Sequence, residues 1–593
     1  MESKTSGERA IITLAGNAAM IAEEYYVCPR CKDEKTGRRV IHHSEALRGI
    51  LPLNSKYGYD VEIEAGYLQY VDNRQMGEIK SIFEGAFGIS VPQSQIHELG
   101  IRFLGHMVAY HYLSAPLLRE MFKSGCVYHV DATCEAGRGM ELTIKEGWTG
   151  IVLGAWKIAT ENEEEIKRHL MSTVGMFGEP LAFVSDLGNG MMAAIAGAIK
   201  EMGLNSRQFA CHMHFLKAVG KSMMDDLHKA LKAQFKRQKT LADLNRFVKE
   251  AGEVIKPKAA AMRDFLGRWQ ESGAALGIPG YMESIAVLRS LAQWVILYGS
   301  ECNGASFPFA LSHIKLFDRC GTALKFLLTL LGKGCIHSRA IKHAGRLQRI
   351  LLSPVGNAEM QETARDLKAV DTVFTELRGI LRLEKTDVCK QAEEKDIQDE
   401  LEVVAGLKEE TSRFCGLLSE RLETGAGTEA HMGACRTVLS YFDKYERYLF
   451  GHFAAICDAS GKVVVKLIDR SNNIMENSYN DQKHQIRRRT GAKNLGFVFE
   501  HLFPAAAMVD NLENPIYRET VLNNKARGEL AVLFSSLDEA MLFSDTPMYQ
   551  DDYEVVGGRL PKADKKIVGK PGFTEIITAL PIDFVKSLNL KEV

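Results

Sequence analysis

The spacing of apolar positions changes several times along the chain, and each change marks a change of element. Met76, Ile79, Ile82 and Phe83 recur at helical spacing. Gly88-Ile89-Ser90 then breaks the pattern, and Val91-Pro92 opens a second helix, with proline tolerated in the first turn. This predicts a helix-turn-helix over about residues 74–106. From Cys126 the period shortens towards two. Val127–Asp131 is a short strand ending on an acid, Met140–Lys145 a second strand and Gly150–Ile158 a third. Glu161–Met171 is a charged amphipathic helix. Leu181–Asp186 is a fourth strand, again ending on an acid, and Gly190–Met202 a further helix. The right-handed crossover rule returns the fourth strand to the same sheet. If it lies beside the first, the carboxylates of Asp131 and Asp186 meet.

Residues of about 220–460 carry repeated 3.6-type patterns with few prolines, as in Ala260–Gln270, Ile285–Leu297 and Thr322–Leu331, and predict an all-helical insertion. Within it, the charge-rich stretch Leu381–Ser412 reads as a solvated helical hairpin. A strand-like run, Lys462–Lys466, ends the region, and a long helix follows Glu476. Beyond Asn523 the pattern is mixed and ends in an irregular appendage.

At 593 residues the chain is longer than one core usually supports, so three or four domains are expected. The net charge of −1 gives no overall attraction to nucleic acid, so any DNA contact must come from local basic patches. Twelve cysteines in so long a chain do not make a disulfide scaffold. Single thiols in apolar segments, such as Cys126, Cys320 and Cys457, suit buried, reduced side chains in a cytoplasmic protein. The segment Met1–Ala10 is polar and charged, unlike a signal peptide, and no apolar run approaches the ~20 residues of a membrane span.

Three groups of residues carry candidate chemistry. Near the N-terminus, Cys28-Pro-Arg-Cys31 offers two thiolates at the spacing of a zinc knuckle, with His42 or His43 as the nearby supply of further ligands. An unliganded CxxC in a turn fits the same residues. At the start of the second predicted helix, Gln93, Ser94, Gln95 and His97 are placed to read a DNA groove, unless the pair is an ordinary helical hairpin. The third group is acidic. Phosphodiester cleavage with two magnesium ions about 4 Å apart needs roughly three carboxylates on rigid elements, and Asp131, Asp186 and Glu476 suit those positions. Taken singly, each has a plainer role: Asp131 capping a turn, Asp186 preparing the next helix, and Glu476 closing a capping box with Asn473 as N-cap.

The motifs His129-Val-Asp131-Ala-Thr, Ser185-Asp186-Leu-Gly-Asn-Gly and Ser471-Asn-Asn-Ile-Met-Glu476 resemble the three acidic motifs of bacterial DDE transposases. Cys211-His-Met-His214, following the second acid, resembles the CxxH signature of Mutator-type relatives. The CPRC with a following helix-turn-helix resembles the ISL-type insertion-sequence transposases. The likeness covers roughly residues 25–215 and 465–510. It implies a multidomain α+β chain: a zinc-knuckle-like module (1–65), a helix-turn-helix region (66–120), a ribonuclease-H-like domain in two parts (121–219 and 461–522) split by the helical insertion (220–460), and a C-terminal tail (523–593). It further implies a metal-dependent recombinase that recognises terminal inverted repeats of double-stranded DNA, cuts at the element ends and joins the 3′-hydroxyls to target DNA. Two Mg2+ ions, replaceable by Mn2+, would lie on Asp131, Asp186 and Glu476, and Zn2+ in the N-terminal module. A homodimer is expected, working on the bacterial nucleoid in the cytoplasm, with no membrane. Lys483, Arg487, Arg488, Arg489 and Lys493 would contact DNA phosphates, or else form a solvated basic face. Cys211 and His214 would be a structural pair beneath the site or share a metal. A structure-selective nuclease on the same fold, or an inactive DNA-binding regulator, are the other readings of these residues.

Overall fold

The β-branched and aromatic run Val127–Val130 lies at the centre of a five-stranded sheet. In the computed structural model the described residues are 2–537, apart from 33–36, 38, 53–54, 136, 273–276, 303, 384–396 and 458–459. The chain is mixed α and β, and it divides into two units: Met1–Cys211 together with the chain from Gly451 onward, and His212–Phe450.

In the first unit, the N-terminal segment is largely strand. β1 (Glu2–Thr5), β4 (Glu24–Lys32) and β5 (Arg39–His42) form a three-stranded antiparallel sheet, and β2 (Arg9–Thr13) pairs with β3 (Asn17–Ile21). A helical module follows: α1 (Tyr59–Gly66), α2 (Met76–Ala86) and α3 (Gln93–Leu113). Its small core gathers Val61, Ile79, Phe83, Ile96 and Leu99, so the two expected helices are joined by a third that begins before residue 66. The start of α2 is closed by Glu78, whose Oε2 accepts from the Gln75 N–H (3.1 Å). α3 runs for 21 residues. Its exposed start follows Pro92, while Ile101, Phe103, Leu104 and Met107 enter the main core, which ties the module to the sheet.

The sheet comprises β6 (Val127–Glu135), β7 (Arg138–Glu146), β8 (Val152–Lys157), β9 (Ala182–Ser185) and β10 (Arg207–Ala210), in the order β10-β9-β6-β7-β8. β6, β7 and β8 are antiparallel neighbours, and β9 and β10 run parallel to β6. α4 (Glu163–Phe177) and α5 (Asn189–Met202) make the crossovers. The two-residue period sorts the side chains by face. Tyr128, Val130 and Phe183 join Ile166, Leu170 and Ile195 of the crossover helices. Val127, Ala182, Val184 and Phe209 face the other way, towards Ile456 and Ile468. β10 was not anticipated: four residues, two of them Arg207 and Gln208, leave little alternation to see.

The second unit is helical throughout its described residues. Its principal helices are α6 (His212–Arg237), α7 (Thr240–Ile255), α8 (Ala259–Glu271), α9 (Tyr281–Ile296), α10 (Ser312–Gly332), α11 (Ile341–Val355), α12 (Ala358–Ile380), α13 (Ile397–Thr424) and α14 (Glu429–Tyr445). The all-helical insertion therefore starts at His212, because α6 begins directly after β10, and ends at Phe450. Part of the expected 381–412 hairpin lies outside the described residues; the rest is one helix, α13.

The chain returns to the first unit through an antiparallel hairpin, β11 (Phe453–Cys457) and β12 (Val463–Leu467), and then α15 (Asn473–Thr490). Short helices over 496–535 send Met508, Tyr517, Leu530 and Phe534 into the main core. The start of the expected tail is thus a core segment, and residues 538–593 lie outside the described residues. Cys126 and Cys320 are buried as expected, whereas Cys457 is exposed on the outer face of β11. No helix among the described residues is long and apolar enough to cross a membrane.

Candidate active site

Strand register sets the first two acids side by side. Val130 of β6 is level with Ser185, the last residue of β9; Asp131 follows within β6 and Asp186 directly past the end of β9. The amide of Ala132 donates to Asp131 Oδ1 (2.9 Å) and that of Gly188 to Asp186 Oδ1 (3.1 Å). Each acid therefore spends part of its acceptor capacity on a neighbouring N–H: Asp186 does so ahead of the next helix, as the plainer reading holds, whereas Asp131 lies inside β6, which runs on to Glu135, and caps no turn. Asp131 is 7% exposed. Burial pushes its carboxyl well above the usual carboxylate range, and the charges of Asp186, Glu476 and Glu161 push it further. The three acids expected from the sequence thus share one electrostatic neighbourhood.

Glu476 reaches this neighbourhood in the first turn of α15. The capping-box explanation fails, because the helix begins at Asn473 and its N-cap is Asn472, whose side chain makes no cap bond. Instead Asn472, fully buried, turns to the sheet: Nδ2 donates to the Val130 carbonyl (3.2 Å) and Oδ1 meets His129 Nδ1 (2.9 Å). With the amide so oriented, His129 carries its proton on Nδ1 and donates. Burial lowers the His129 pKa, which favours the neutral ring. The backbone N–H of Asn472 donates to Cys211 Sγ (3.2 Å), and the Cys211 N–H donates to the Ser185 carbonyl (2.7 Å). The residues next to both strand acids and the cap of the Glu476 helix are therefore one hydrogen-bonded assembly.

Further along α15 the same face stays fastened to β6 and β7. The Tyr479 hydroxyl donates to the Asp131 carbonyl (2.8 Å), Gln482 Nε2 to Glu141 Oε1 (3.0 Å) and Lys483 Nζ to Thr133 Oγ1 (3.3 Å). These positions recur at helical spacing. Glu141 is itself buried and paired with buried Lys157 (3.3 Å), which also donates to the Phe499 carbonyl (2.7 Å).

A fourth carboxylate, Glu161, was missed. It lies just before Asn162, the N-cap of α4, and partial burial and the Asp186 charge raise its pKa. Its sequence position beside Glu163, Glu164 and Glu165 makes it look like part of a solvated face. A usable signal was the glycine pair in Asp186-Leu-Gly-Asn-Gly190. A Cβ on Gly190 would fall 1.9 Å from the Glu161 carbonyl oxygen, so only glycine lets the two loops approach. Asn472 and Tyr479 were missed as well. Each is an uncharged residue whose partners come from distant sequence.

The remaining expected residues divide. Cys211 belongs to the assembly around Asn472, while His214 is half-buried on α6 in the other unit. His212 is buried, with Nε2 at 2.6 Å from the Leu449 carbonyl. Among the basic residues, Arg489 is enclosed: its guanidinium stacks 4.8 Å from the Tyr70 ring and donates to the Gln69 carbonyl (3.3 Å), which removes it from a phosphate-facing role. Lys483 is paired with Glu135 (3.2 Å), and Arg487 lies 4.0 Å from the same carboxylate. Arg488 and Lys493 are exposed. Gln93 and Ser94 are exposed at the start of α3, His97 is half-buried, and Gln95 donates to Glu98 (2.7 Å).

Metal donors are partly assembled. Among the described residues no three His, Cys, Asp or Glu side chains are set to hold a metal ion. In the acidic cluster the donor chemistry nevertheless suits magnesium, which takes oxygen ligands, keeps several waters and needs no closed protein cage. Among the described residues no lysine or arginine pairs with Asp131, Asp186 or Glu161, so their like charges repel without internal compensation. At the N-terminus the Cys28 and Cys31 side chains meet, and their hydrogen bond lowers the Cys28 pKa and raises that of Cys31. His43 is occupied by Glu23 (3.0 Å), and His42 is level with Tyr26 across the strand pair. The CxxC thus has no four-ligand set among the described residues. No protein-family model matches the chain, and no curated protein matches it.

Proposed function

We propose that the chain is a DDE-type DNA transposase with a ribonuclease-H-like catalytic domain, in which Asp131, Asp186 and Glu476 hold two magnesium ions. The observation that carries the reading is the electrostatic neighbourhood these acids share: Asp131 lies in β6, Asp186 directly follows the adjacent parallel β9, and Glu476 is in the first turn of a helix pinned to β6. A sheet of three antiparallel strands extended by two parallel ones, with helical crossovers, supports the ribonuclease-H-like assignment.

Bound magnesium supplies charge neutralisation at phosphorus and a water of lowered pKa. The residues supply placement. Asp131 presents its oxygens from within β6 and Asp186 from just past the end of β9, and the Asn472 assembly sets the angle at which α15 delivers Glu476. Because the acids bind metal, no covalent protein–DNA intermediate forms. Arg488 and Lys493, exposed after the acid-bearing turn, meet backbone phosphates, which adds affinity without sequence choice. The start of α3, with Gln93 and Ser94 exposed, reads the inverted repeats. Two copies pair the element ends on double-stranded DNA in the bacterial cytoplasm. The Cys28–Cys31 pair is the half-site that zinc would need to complete elsewhere.

The test is strand cleavage of labelled element-end DNA with Mg2+, comparing the intact protein with Asp131→Ala, Asp186→Ala and Glu476→Ala. Cutting at the element boundary, abolished by each substitution with DNA binding retained, is the expected result. An intact protein that binds the ends and never cuts them overturns the enzyme reading, and cutting that survives Glu476→Ala overturns the choice of third ligand.

A further inference from the structure

The second unit carries a polar cleft of about 330 Å³ at the turn between α6 and α7, lined by Gln238, Thr240, Asp243, Arg246, Arg346, Arg349, Ile350 and Ser353. Three guanidinium groups against one carboxylate leave its lining two charges positive. Arg346, Arg349 and Ser353 recur at i, i+3 and i+7 on α11 and so share one face. Arg246 comes from α7, where Asp243 holds it at 3.5 Å. Arg346 is gripped at both guanidinium nitrogens by Glu250, whose carboxyl that contact holds below its usual range. Arg349 is exposed and has no carboxylate partner among the described residues.

Two observations point to an anion. α7 is 16 residues long and starts from Lys239, which adopts a left-handed conformation (φ 55°) and gives no side-chain cap. Its first-turn N–H groups therefore have no side-chain cap at the positive pole of the helix, where Thr240 lines the cleft. Independently, Thr240, the first residue of α7, is 1% exposed and lines the cleft, yet its hydroxyl has no hydrogen-bond partner among the described residues. A buried hydroxyl without a partner is costly, and a ligand oxygen would satisfy it.

We propose that this cleft binds a phosphate of the DNA backbone. The N–H groups at the start of α7 and the Thr240 hydroxyl meet the phosphate oxygens, and Arg349, with Arg346 held in place by Glu250, supplies the charge. Inorganic phosphate shares that chemistry and is the other source to be separated. The choice of DNA as the source of the phosphate rests on the transposase reading, but the site lies in the second unit and requires no metal and no cleavage, so loss of cleavage alone would leave it standing.

The experiment uses the full chain, a fluorescein-labelled duplex of arbitrary sequence and no divalent metal, with anisotropy read across a series of salt concentrations. Losing one phosphate contact weakens binding by about 5–10-fold near 0.1 M salt and lowers the salt slope by about one. Arg349→Ala is expected to do this, while Arg268→Ala, an exposed arginine elsewhere in the unit with its own Asp264 partner, leaves both unchanged. Thr240→Val keeps the shape and loses the hydroxyl, and is expected to weaken binding in the same direction. A wild-type affinity and slope for Arg349→Ala overturn the proposal. So does phosphate binding measured by calorimetry that needs Arg349 while duplex binding does not, which would make this a free-phosphate site. Displacement of the duplex by polyglutamate that depends on Arg349, with no change of salt slope, would assign the cleft to an acidic protein segment and also overturn it.

Discussion

Replacing Asn472 by alanine tests whether the third acid is placed by hydrogen bonds that lie wholly within the fold. Asn472 is fully buried and makes two side-chain bonds, to the Val130 carbonyl and to His129. Each contributes about 1 kcal/mol net, and leaving the His129 Nδ1–H buried without an acceptor costs about 1–3 kcal/mol more. The local destabilisation is therefore about 3–5 kcal/mol, concentrated where β6 meets the start of α15. Chemistry should suffer more than folding does. Glu476 lies one turn beyond Asn472, and misplacing a reacting group by about 1 Å can cost ~100-fold in rate. Two assays separate the effects. Hydrogen exchange should show faster opening of peptides spanning Asp469–Tyr479, with the helices of the second unit unchanged. Single-turnover cleavage at saturating DNA should be slowed by about two orders of magnitude while the DNA dissociation constant stays put. Wild-type cleavage by Asn472→Ala would refute the argument, and a loss traceable entirely to weaker DNA binding would show that Asn472 acts elsewhere.

Other substitutions follow from the same geometry. The folded-state pKa of Asp131 is raised, so stability from its protonated form is complete below the unfolded value and is lost as pH rises through the folded one. At neutral pH its charge is then a burden, and Asp131→Asn should raise the melting temperature in EDTA; a lowered one contradicts the repulsion. Added Mg2+ should stabilise the parent chain and leave Asp131→Asn nearly unchanged. Gly147→Ala would put a Cβ 2.8 Å from His129 Nε2. It should cost about 1–3 kcal/mol in urea unfolding and reduce cleavage as Asn472→Ala does; unaltered cleavage would mean the ring yields freely. Arg489→Ala should lower stability and leave the salt slope of DNA binding intact, whereas Arg488→Ala should lower that slope by about one; the reverse pattern would undo the assignment of the two residues. Lys157→Met leaves Glu141 buried without its cation, and should destabilise the first unit by about 3–5 kcal/mol.

The readable parts of this fold are those in which one side chain's neighbours are near in sequence or follow a period. The alternation through Val127–Val130 and Leu142–Ile144 announced strands, and Asp131 and Asp186 stood out because an acid at the end of an apolar strand needs a reason. The helical patterns of Ile285–Leu297 and Thr322–Leu331 were equally plain. β10 was not, since a four-residue strand at the sheet edge has too few alternations. The N-terminal strands were hidden for a related reason: β1 is exposed at every position, so no apolar face is written into it. Arg489 was read as a DNA ligand because its neighbours Arg487 and Arg488 are basic. Yet α15 turns successive residues about 100° apart, and position 489 falls on the side that meets Tyr70. Sequence adjacency grouped three arginines that the helix separates.

That same geometry explains why Asn472 matters more than its chemistry suggests. The strand acids are fixed by sheet register, which a hydrophobic pattern already specifies. Glu476 returns to the sheet after the whole of the second unit has intervened in the chain, and no register reaches it. Its placement needs directional bonds that fail unless β6, the end of β9 and the start of α15 are in position together. His129 and Asn472 provide such bonds from β6 and the start of α15, and Cys211, just after β10, links Asn472 to the Ser185 carbonyl at the end of β9. An apolar contact would tolerate sliding along the strand. A buried amide that must satisfy His129 and Val130 at once does not, because a shift leaves polar atoms unpaired. The polar residues beside the acids are thus the means by which segments distant in sequence form one rigid site.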